Sequence, residues 1–463
     1  MSFVCLLIHF PALWLEDVLN LKYSGKHGYD MRWVGDAFAS QGHSTDGSPQ
    51  FNTSSPIPVP GTLYSISLSL PKYRDFYSFM KFSAFSFLFL VKSASSFSMT
   101  ATKSYLAEIP MGAPDAILGI ADNFKKCTDP NKVNVCVGAY RDENGKPWIL
   151  PSVREAEKIM MEDPAENKEY ASISGDAAYV AQAVKFAYGQ DADLSKIAAV
   201  QTLSGTGACR VGGQFLANFF PVKKIYIPDP TWGNHINIFE ECGLEVVRYR
   251  YYNRATNGLN LDGMIEDIKA APEGAIVLLH ACAHNPTGCD PSVEQWKTIS
   301  DLIKQKNLQV FFDSAYQGFA SGDAEADAFA LRYFVEQGHN IMLAQSFAKN
   351  FGLYGERCGT LSFLTDNADE KERVMSQVKR IIRPMYSSPP VHGSSIVRTV
   401  LTNEKLTKQY YEECAFMANR IGSMRTLLAE KLKEAGSTHD WSHVTSQIGM
   451  FAYTGKFREE TTI

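Results

Sequence analysis

The chain has 463 residues, of which 45% are apolar and 21% are charged. That length exceeds what one small core needs and predicts two domains or one large α/β unit, while the composition excludes wholesale disorder. The 45 Lys and Arg residues against 50 Asp and Glu give a net charge of −5. We therefore expect no broad cationic surface and no nucleic-acid partner. The nine cysteines are scattered without a CxxC pair, which argues against a disulfide scaffold and against a metal site.

Residues 1–104 differ from the rest of the chain and are predicted to form a poorly ordered N-terminal extension. Residues 40–60 are rich in Gly, Ser, Pro and Thr, a composition typical of loops. The apolar run 82–91 is shorter than the about 20 residues of a membrane-spanning helix, so we expect no stable membrane span. With Met80 before it and small residues after it, the run resembles a signal peptide. The alternatives are a transit peptide and an extension upstream of a natural start at Met99.

From about residue 105, short β-branched runs alternate with amphipathic stretches. The predicted strands are 197–203, 224–228, 245–249, 275–280, 308–313 and 341–345. The predicted helices are one from about 207, then 291–305, 324–337 and a long one from Lys405 that closes on Gly436. Strands separated by helices predict βαβ crossovers and an α/β fold with a mainly parallel sheet. The stretch 449–455 is typical of a further strand.

Polar residues follow four of these strands. In a mainly parallel sheet, ligands bind at the carboxyl ends of the strands, so these residues are the candidates for a site. They are Ser204–Gly207, His284–Gly288, Asp313–Tyr316 and Ser346–Asn350. The first group opens a helix, where free backbone N–H groups and the helix dipole favour an anion. Small residues also suit any tight strand-to-helix turn, so this signal is weak alone.

Three side chains could have catalytic or binding roles, and each also has an ordinary structural interpretation. Asp313 ends an apolar strand, where a carboxylate is either the partner of a protonated ring nitrogen or a turn former. Lys349 follows the next strand. If it is buried it becomes a nucleophile toward a carbonyl, whereas an exposed lysine extends its amine into solvent. Arg357 can hold a phosphate with two hydrogen bonds, or pair with Glu356.

Together these groups comprise a phosphate turn, a partner for a ring nitrogen, a lysine nucleophile and an arginine, which is the set that pyridoxal 5'-phosphate needs. Residues 105–455 resemble the aspartate aminotransferase family of pyridoxal-phosphate enzymes (class I, fold type I), and its mitochondrial branch most. The matching stretches are VGAYRDENGKPW (137–148), LSGTGACR (203–210), PTWGNH (230–235), HACAHNPTG (280–288), FFDSAYQGFASGD (311–323), QSFAKNFGLYGER (345–357) and RPMYSSPP (383–390).

The resemblance implies a role for each matching residue. Lys349 would form the Schiff base and move a proton, Asp313 would pair with the ring nitrogen, and Tyr316 would bind the phenolic oxygen of the ring. These three are the implied catalytic residues, and His235 would support Asp313 from behind. The residues implied to bind the cofactor are Gly205, Thr206, Trp232, Asn285, Asp313, Tyr316, Ser346, Lys349, Arg357 and Tyr170.

The resemblance also implies substrates and a partner. The implied substrate-binding residues are Gly138, Trp232, Asn285 and Arg383. Arg383 would bind the distal carboxylate of the substrate, and Tyr170 the cofactor phosphate, each across a subunit interface. The expected partners are therefore a second copy of the chain, in a homodimer with shared active sites, together with L-aspartate, L-glutamate and their 2-oxo acids.

The implied fold is a three-layer large domain with a mainly parallel sheet, plus a smaller α/β domain that is incomplete here. We assign 105–145 to the N-terminal arm and part of the small domain, 146–400 to the large domain, and 401–463 to a C-terminally truncated small domain. In the family, a second arginine beyond the IGMF stretch binds the substrate α-carboxylate. Arg458 is not in that motif, so we expect substrate binding to lose about 1.5–3 kcal/mol.

The expected activity is transfer of the amino group between L-aspartate and 2-oxoglutarate, giving oxaloacetate and L-glutamate, with substrate binding weakened by the missing arginine. Two alternatives stay open: another pyridoxal-phosphate reaction such as β-decarboxylation, or an inactive homologue that acts as a binding or dimerisation protein. The stretches GAYRDENGKPW and EAGSTHDW resemble the mitochondrial branch. We therefore expect a mitochondrial protein, with plastid and cytoplasm as alternatives.

Overall fold

The computed structural model describes residues 104–112, 118–130, 132, 134 and 138–454. The described residues up to 112 belong to one compact unit, and those from 118 onward belong to another. The first contributes a short 3-10 helix, Tyr105–Glu108. Apart from Ser104, the predicted extension 1–104 lies outside the described residues. The predicted boundaries after residues 145 and 400 stay predictions.

A seven-stranded sheet forms the centre of the second unit. Its strands are β1 (Ile197–Leu203), β2 (Lys224–Asp229), β3 (Glu245–Arg250), β6 (Ile276–His280), β7 (Gln309–Ser314), β8 (Ile341–Ser346) and β9 (Cys358–Leu364), in the order β1-β9-β8-β7-β6-β2-β3. Strand β9 runs antiparallel to both its neighbours, and the remaining pairs are parallel. The predicted mainly parallel sheet is therefore confirmed. A separate two-stranded ribbon consists of β4 (Tyr252–Asn253) and β5 (Gly258–Leu259).

Helices cover both faces of the sheet and make three layers. The helices are α1 (Leu118–Lys126), α2 (Pro151–Glu162), α3 (Ala177–Tyr188), α4 (Ser204–Phe219), α5 (Asn234–Glu241), α6 (Leu261–Lys269), α7 (Val293–Gln305), α8 (Ala324–Asp327), α9 (Phe329–Glu336), α10 (Ala368–Met385), α11 (His392–Thr402), α12 (Glu404–Glu434) and α13 (Ser442–Ser446).

The pleat of the strands explains why two layers of helices are needed. Because successive side chains of a strand point to opposite faces, Val310 and Phe312 of β7 join one core, whereas Phe311 joins the other. Side chains of α6, α7 and α9 complete the first core, and those of α4, α5 and α10 complete the second. The central strands β6, β7 and β8 are buried on both faces, as expected of a parallel sheet, whereas the edge strand β3 is largely exposed.

A third core lies beyond the carboxyl end of β8. It joins α2, α3, α11 and α12 to the loop after β8, through buried side chains such as Phe347, Phe351 and Tyr410. Glu413 of α12 strengthens this packing, because its buried carboxylate accepts hydrogen bonds from the backbone N–H and the hydroxyl of Ser152, at the start of α2. A carboxylate at a helix N-terminus also interacts favourably with the helix dipole.

Three local predictions differ from the structure. The helix predicted over 324–337 is divided into α8 and α9 by Ala328. The stretch 449–454 forms no strand. Strand β9 was not anticipated, because Arg357 and its neighbours were interpreted only as a binding motif. By contrast, α12 ends two residues before Gly436, whose φ of +83° suits the predicted C′ glycine.

No helix within the described ranges combines the length and the apolar character that crossing a bilayer requires.

Candidate active site

The polar residues predicted to form a site meet at one edge of the sheet. His280, at the end of β6, lies opposite Asp313 of β7 in the parallel register. Ser346 ends β8 next to them, and β1 ends directly before Ser204. Since parallel strands bring their carboxyl ends to the same edge, residues far apart in sequence become neighbours there.

Asp313 and His235 form a hydrogen-bonded pair at this edge. The Nε2 atom of His235 lies 2.9 Å from Oδ2 of Asp313, and His235 is fully buried. Burial alone would raise the pKa of Asp313, but the hydrogen bond and the electrostatic interaction with His235 outweigh burial, so the pKa of Asp313 lies below its ordinary value. Asp313 is therefore a stable carboxylate at neutral pH, as the proposed partner of a protonated ring nitrogen must be.

A chain of hydrogen bonds behind His235 fixes which nitrogen of its ring carries a proton. The backbone N–H of Asn285 donates to Nδ1 of His280 at 3.0 Å, so a neutral His280 carries its proton on Nε2. Burial lowers the pKa of His280 to about 3, and His280 is neutral at pH 7. Its Nε2 faces Thr231 Oγ1 at 3.4 Å, and that hydroxyl lies 2.9 Å from Nδ1 of His235. Donation along this chain leaves His235 Nε2–H pointing at Asp313.

Lys349 lies in the turn after β8 and is half-buried. Its Nζ donates to the backbone carbonyl oxygen of Gly138 at 2.8 Å and lies 5.0 Å from the centre of the Tyr354 ring. The hydroxyl of Tyr354 accepts the backbone N–H of Tyr140 at 2.7 Å. Lysine and tyrosine together therefore hold residues 138–140 beside the sheet edge, which brings Gly138 to the site as predicted.

The first turn of α4 has the properties of an anion site. No side chain caps the N-terminus of helix α4, so the backbone N–H groups of its first turn have no side-chain acceptor at the cap position. A Cβ at Gly205 would lie 3.2 Å from Cβ of Ser346 and 3.9 Å from Oδ1 of Asp313. Gly205 therefore lies directly against both, and only its missing side chain keeps the turn open. Thr206 follows it on the same turn and is half-buried.

Hydrogen bonds connect Ser346 and Arg357 to this turn. The hydroxyl of Ser346 lies 2.9 Å from that of Ser204, and the backbone N–H of Ser204 donates to the carbonyl oxygen of Arg357 at 3.0 Å. The exposed guanidinium of Arg357 donates to the carbonyl oxygen of Tyr354. The arrangement supplies backbone N–H groups, a hydroxyl and a positive charge, which are the donors that bind a phosphate group.

Three further predicted residues surround the same edge. The ring of Trp232 meets His235 edge to face, with centroids 5.1 Å apart. Tyr316 is buried, and its ring lies 6.2 Å from that of Phe451. Asn285 is half-buried and follows His280 in the loop after β6. The structure therefore brings these residues to one edge, together with Asp313, Lys349, Gly138, Gly205, Ser346 and Arg357.

Tyr170 and Arg383 are not part of this cluster. Tyr170 exposes 88% of its surface. Arg383 is also exposed, and its guanidinium donates to the hydroxyl of Ser387 at 2.6 Å. Their predicted roles across a subunit interface stay predictions.

Sequence reasoning missed several residues of the site. Thr231, Tyr354 and Phe451 lie inside matching or adjacent stretches, but their types alone gave no reason to select them. Cys209, His235 and Asp313 place three possible metal ligand atoms within 4.8 Å of one another. Burial and the charge of Asp313 raise the pKa of the Cys209 thiol well above its ordinary value, which disfavours the thiolate that a metal needs.

Pyridoxal phosphate fits these residues. The first turn of α4 has no side-chain cap, Gly205 lies close against Ser346, and the hydroxyls of Ser204 and Ser346 lie 2.9 Å apart beside the turn. Asp313 is a carboxylate with one oxygen facing His235 and the other facing Gly205. Lys349 supplies a primary amine that contacts the Gly138 carbonyl oxygen and the aromatic face of Tyr354. These three features match the phosphate, the ring nitrogen and the aldehyde of the cofactor.

Comparison with known proteins leads to the same class. The model of the family "Aminotransferase class I and II" matches residues 130–462. The chain is 52% identical over 360 residues to the mitochondrial aspartate aminotransferase of Dictyostelium discoideum, which covers 77% of this chain and 84% of that protein. The fold superposes on the cytoplasmic aspartate aminotransferase of Saccharomyces cerevisiae with a TM-score of 0.74 and 43% identity, covering 76% of this chain and 88% of that one.

A second solved relative carries the cofactor. It is the aromatic-amino-acid aminotransferase of Burkholderia pseudomallei covalently bound to pyridoxal phosphate, with a TM-score of 0.73, 43% identity, and coverage of 76% of this chain and 88% of that one. The chain belongs to the class I and II aminotransferase family and is a transaminase that uses pyridoxal phosphate. The predicted fold class, enzyme class and cofactor are confirmed.

Proposed function

We propose that the protein transfers the amino group between L-aspartate and 2-oxoglutarate, giving oxaloacetate and L-glutamate. The observation that carries this proposal is the convergence of Lys349, the Asp313–His235 pair and the open first turn of α4 at one sheet edge. Relatives named aspartate aminotransferases, including one that is 52% identical, support the choice of substrate. Neither β-decarboxylation nor a purely binding role is favoured by these names.

Each residue has a defined task in this reaction. The first turn of α4, Ser346 and Arg357 would bind the phosphate of the cofactor, and Asp313 would hold a proton on the ring nitrogen. When bound, pyridoxal phosphate supplies an aldehyde that joins covalently to amines and a ring that withdraws electrons from the neighbouring carbon. Lys349 then takes up and returns a proton at Nζ, as a general base and acid. The carbonyl oxygen of Gly138, 2.8 Å away, positions that nitrogen.

A two-step spectrum tests the proposal. The purified protein is loaded with pyridoxal phosphate, L-aspartate is added, and 2-oxoglutarate follows. We expect aspartate to change the absorption of the cofactor and 2-oxoglutarate to reverse the change. Lys349→Ala should abolish both changes, whereas Lys224→Ala, which removes an exposed lysine paired with Glu245, should retain both. A spectrum that aspartate leaves unaltered in the unmodified protein would contradict the proposed substrate.

We also propose that the enzyme acts as a homodimer in which Tyr170 and Arg383 serve the active site of the neighbouring subunit. Both side chains are exposed in the single chain. Residues that act across a subunit interface must be exposed when the partner subunit is absent. Sedimentation of the purified protein should give the mass of two chains. A monomer with full activity would contradict shared sites.

We propose a mitochondrial location, because the relative from Dictyostelium discoideum is named as a mitochondrial enzyme. Immunoblotting of purified organelles tests it. We expect the protein to co-purify with mitochondrial markers and to be protected from added protease. Recovery with plastids or in the cytosol would contradict this location and favour one of the two alternatives.

A further inference from the structure

Arg425, in the second half of α12, is a buried arginine outside the site described above. Only 3% of its surface is exposed. Its guanidinium donates to three backbone carbonyl oxygens, those of Val444 at 2.9 Å, Gly449 at 2.8 Å and Phe451 at 2.6 Å. No carboxylate among the described residues forms an ion pair with it. A buried charge that is bound only by carbonyl groups is uncommon, because desolvation is costly.

The charge persists at neutral pH despite this burial. Burial lowers the pKa of Arg425 to about 10, which is still far above pH 7. Three carbonyl dipoles then replace the water that the guanidinium loses. The planar fork of an arginine can reach three acceptors at once, whereas a lysine is a single point donor on a flexible stem. The chemistry therefore suits arginine specifically.

The three carbonyl groups belong to the segment 444–451, which continues past the active site. The backbone N–H of Ile448 donates to the carbonyl oxygen of Gly288 at 2.8 Å. A Cβ at Gly449, where φ is +83°, would come within 2.5 Å of Cβ of Ala283. The segment therefore lies directly on the loop after β6, which carries Asn285.

The end of the segment reaches the substrate side of the site. Phe451 is 6% exposed, and its ring would lie 3.2 Å from a Cβ placed at Gly138. The same ring meets Tyr316 edge to face, with centroids 6.2 Å apart. Through its contact with Gly138, Phe451 adjoins the segment that holds the amine of Lys349. A shift of Phe451 by even 1 Å would alter the space between Gly138 and Tyr316.

We infer that Arg425 is a positioning residue, which fixes Phe451 as one wall of the substrate pocket and thereby sets the affinity for the dicarboxylic substrate. The inference rests on the proposed function for the identity of the substrate. It separates Arg425 from the residues that bind the phosphate of the cofactor, because the contacts of the segment described above lead to Gly138, Tyr316 and the loop that carries Asn285. Substrate affinity should therefore change more than cofactor affinity.

The test compares Arg425→Lys and Arg425→Met with Lys433→Met, which removes an exposed charge from the last turn of the same helix. For both Arg425 variants we expect the KM for aspartate to rise about tenfold or more, as for the loss of hydrogen bonds to a charged group. The kcat and the affinity for pyridoxal phosphate should change less than about threefold. Lys433→Met should match the unmodified protein, and Phe451→Leu should reproduce the rise in KM with Arg425 intact.

Two further measurements keep the inference independent of folding and of turnover. Amide hydrogen exchange should accelerate at residues 444–451 in the Arg425 variants, while the sheet strands keep their protection. Binding of succinate, an unreactive dicarboxylate, to the cofactor-loaded protein should weaken in parallel with the rise in KM. Unaltered succinate binding in a folded Arg425→Met protein would overturn the inference, as would equal losses of cofactor and substrate affinity. Failure of transamination in the unmodified protein would count against the proposed function alone.

Discussion

The sheet edge and the pair Tyr170 and Arg383 differ in how completely one chain builds them. At the sheet edge, each charged group has a partner in the same chain: Asp313 contacts His235 at 2.9 Å, and Lys349 contacts the Gly138 carbonyl at 2.8 Å. Tyr170, by contrast, exposes 88% of its surface, and Arg383 is exposed as well. One region is organised within the subunit, whereas the other presents side chains outward.

The difference separates the groups that carry the chemistry from the two residues that are predicted to bind ligands across a subunit interface. Preorganised partners at the sheet edge fix protonation states before any ligand arrives, which is what electrostatic catalysis requires. Exposed side chains retain their conformational freedom and contribute only once a second surface orders them. Variants at the sheet edge should therefore impair chemistry, and variants of the exposed pair should impair binding.

Lys349→Ala should have the largest effect. Loss of the amine at the Gly138 carbonyl removes both the covalent attachment and the proton transfer, so we expect kcat to fall by at least about 10²- to 10⁴-fold, the range for a lost general base. Steady-state assays with aspartate and 2-oxoglutarate measure this. Retention of more than a tenth of the activity would mean that another group accepts the proton.

Asp313→Asn should follow, with a fall in kcat of about 10²- to 10³-fold, comparable to the loss of one preorganised electrostatic contact. The amide cannot hold a proton on the ring nitrogen, although it retains the shape of the carboxylate. Asp366→Asn removes an exposed carboxylate and is the matched control. Equal activities of the two variants would show that the charge at Asp313 has no catalytic role.

Asp327 is a second buried carboxylate, and its pKa is shifted in the direction opposite to that of Asp313. It accepts the backbone N–H groups of Gly318, Ala320 and Ser321 in the turn after Tyr316, yet burial raises its pKa to about 6. The folded state then binds a proton more tightly than the unfolded state. The free energy of unfolding should therefore decrease as pH rises from about 4 to about 6, by up to about 3 kcal/mol.

Asp327→Asn should remove this pH dependence. Urea unfolding of the variant and of the unmodified protein at several pH values measures it, with the exposed Asp191→Asn as the control. As pH rises from about 4 to about 6, the free energy of unfolding of the unmodified protein should decrease relative to that of the variant. Outside this window the difference between the two proteins should stay constant. Parallel curves over that window would contradict the raised pKa.

Arg383→Ala should have the smallest effect, a rise of about tenfold in the KM for aspartate with little change in kcat. Co-assembly with Lys349→Ala then tests whether sites are shared. If Arg383 serves the neighbouring subunit, a hybrid dimer has one site with both defects and one intact site. At aspartate concentrations well below KM, where both parent variants are weakened or inactive, random pairing of the two chains should then restore about a quarter of full activity. Absence of restoration in a mixed dimer would place Arg383 in the site of its own chain.

Much of the sheet edge could be predicted from the sequence because several of its residues follow apolar β-branched runs. Asp313, Ser346 and Lys349 required only the rule that parallel strands bring their carboxyl ends together. The bounds of most strands of the large sheet are confirmed to within one residue for the same reason, since a short apolar β-branched run is a local signal.

The contacts that support the edge could not be predicted in this way. Tyr354 and Tyr140 are 214 residues apart in the sequence, and no periodic pattern connects them. Arg425 has the helical neighbours of any surface arginine, and its three carbonyl partners become visible only when the segment 444–451 is folded against α12. The break at Ala328 between α8 and α9 likewise depends on tertiary packing and not on helix propensity.

The most direct test of the account follows nitrogen from one amino acid to the other. The purified protein is incubated with pyridoxal phosphate, ¹⁵N-labelled L-aspartate and 2-oxoglutarate, and the products are identified by NMR. We expect the label to appear in L-glutamate in step with the formation of oxaloacetate, and neither product to form with Lys349→Ala. Formation of alanine and carbon dioxide, or aspartate that stays unchanged while the cofactor is bound, would contradict an aminotransferase acting on aspartate.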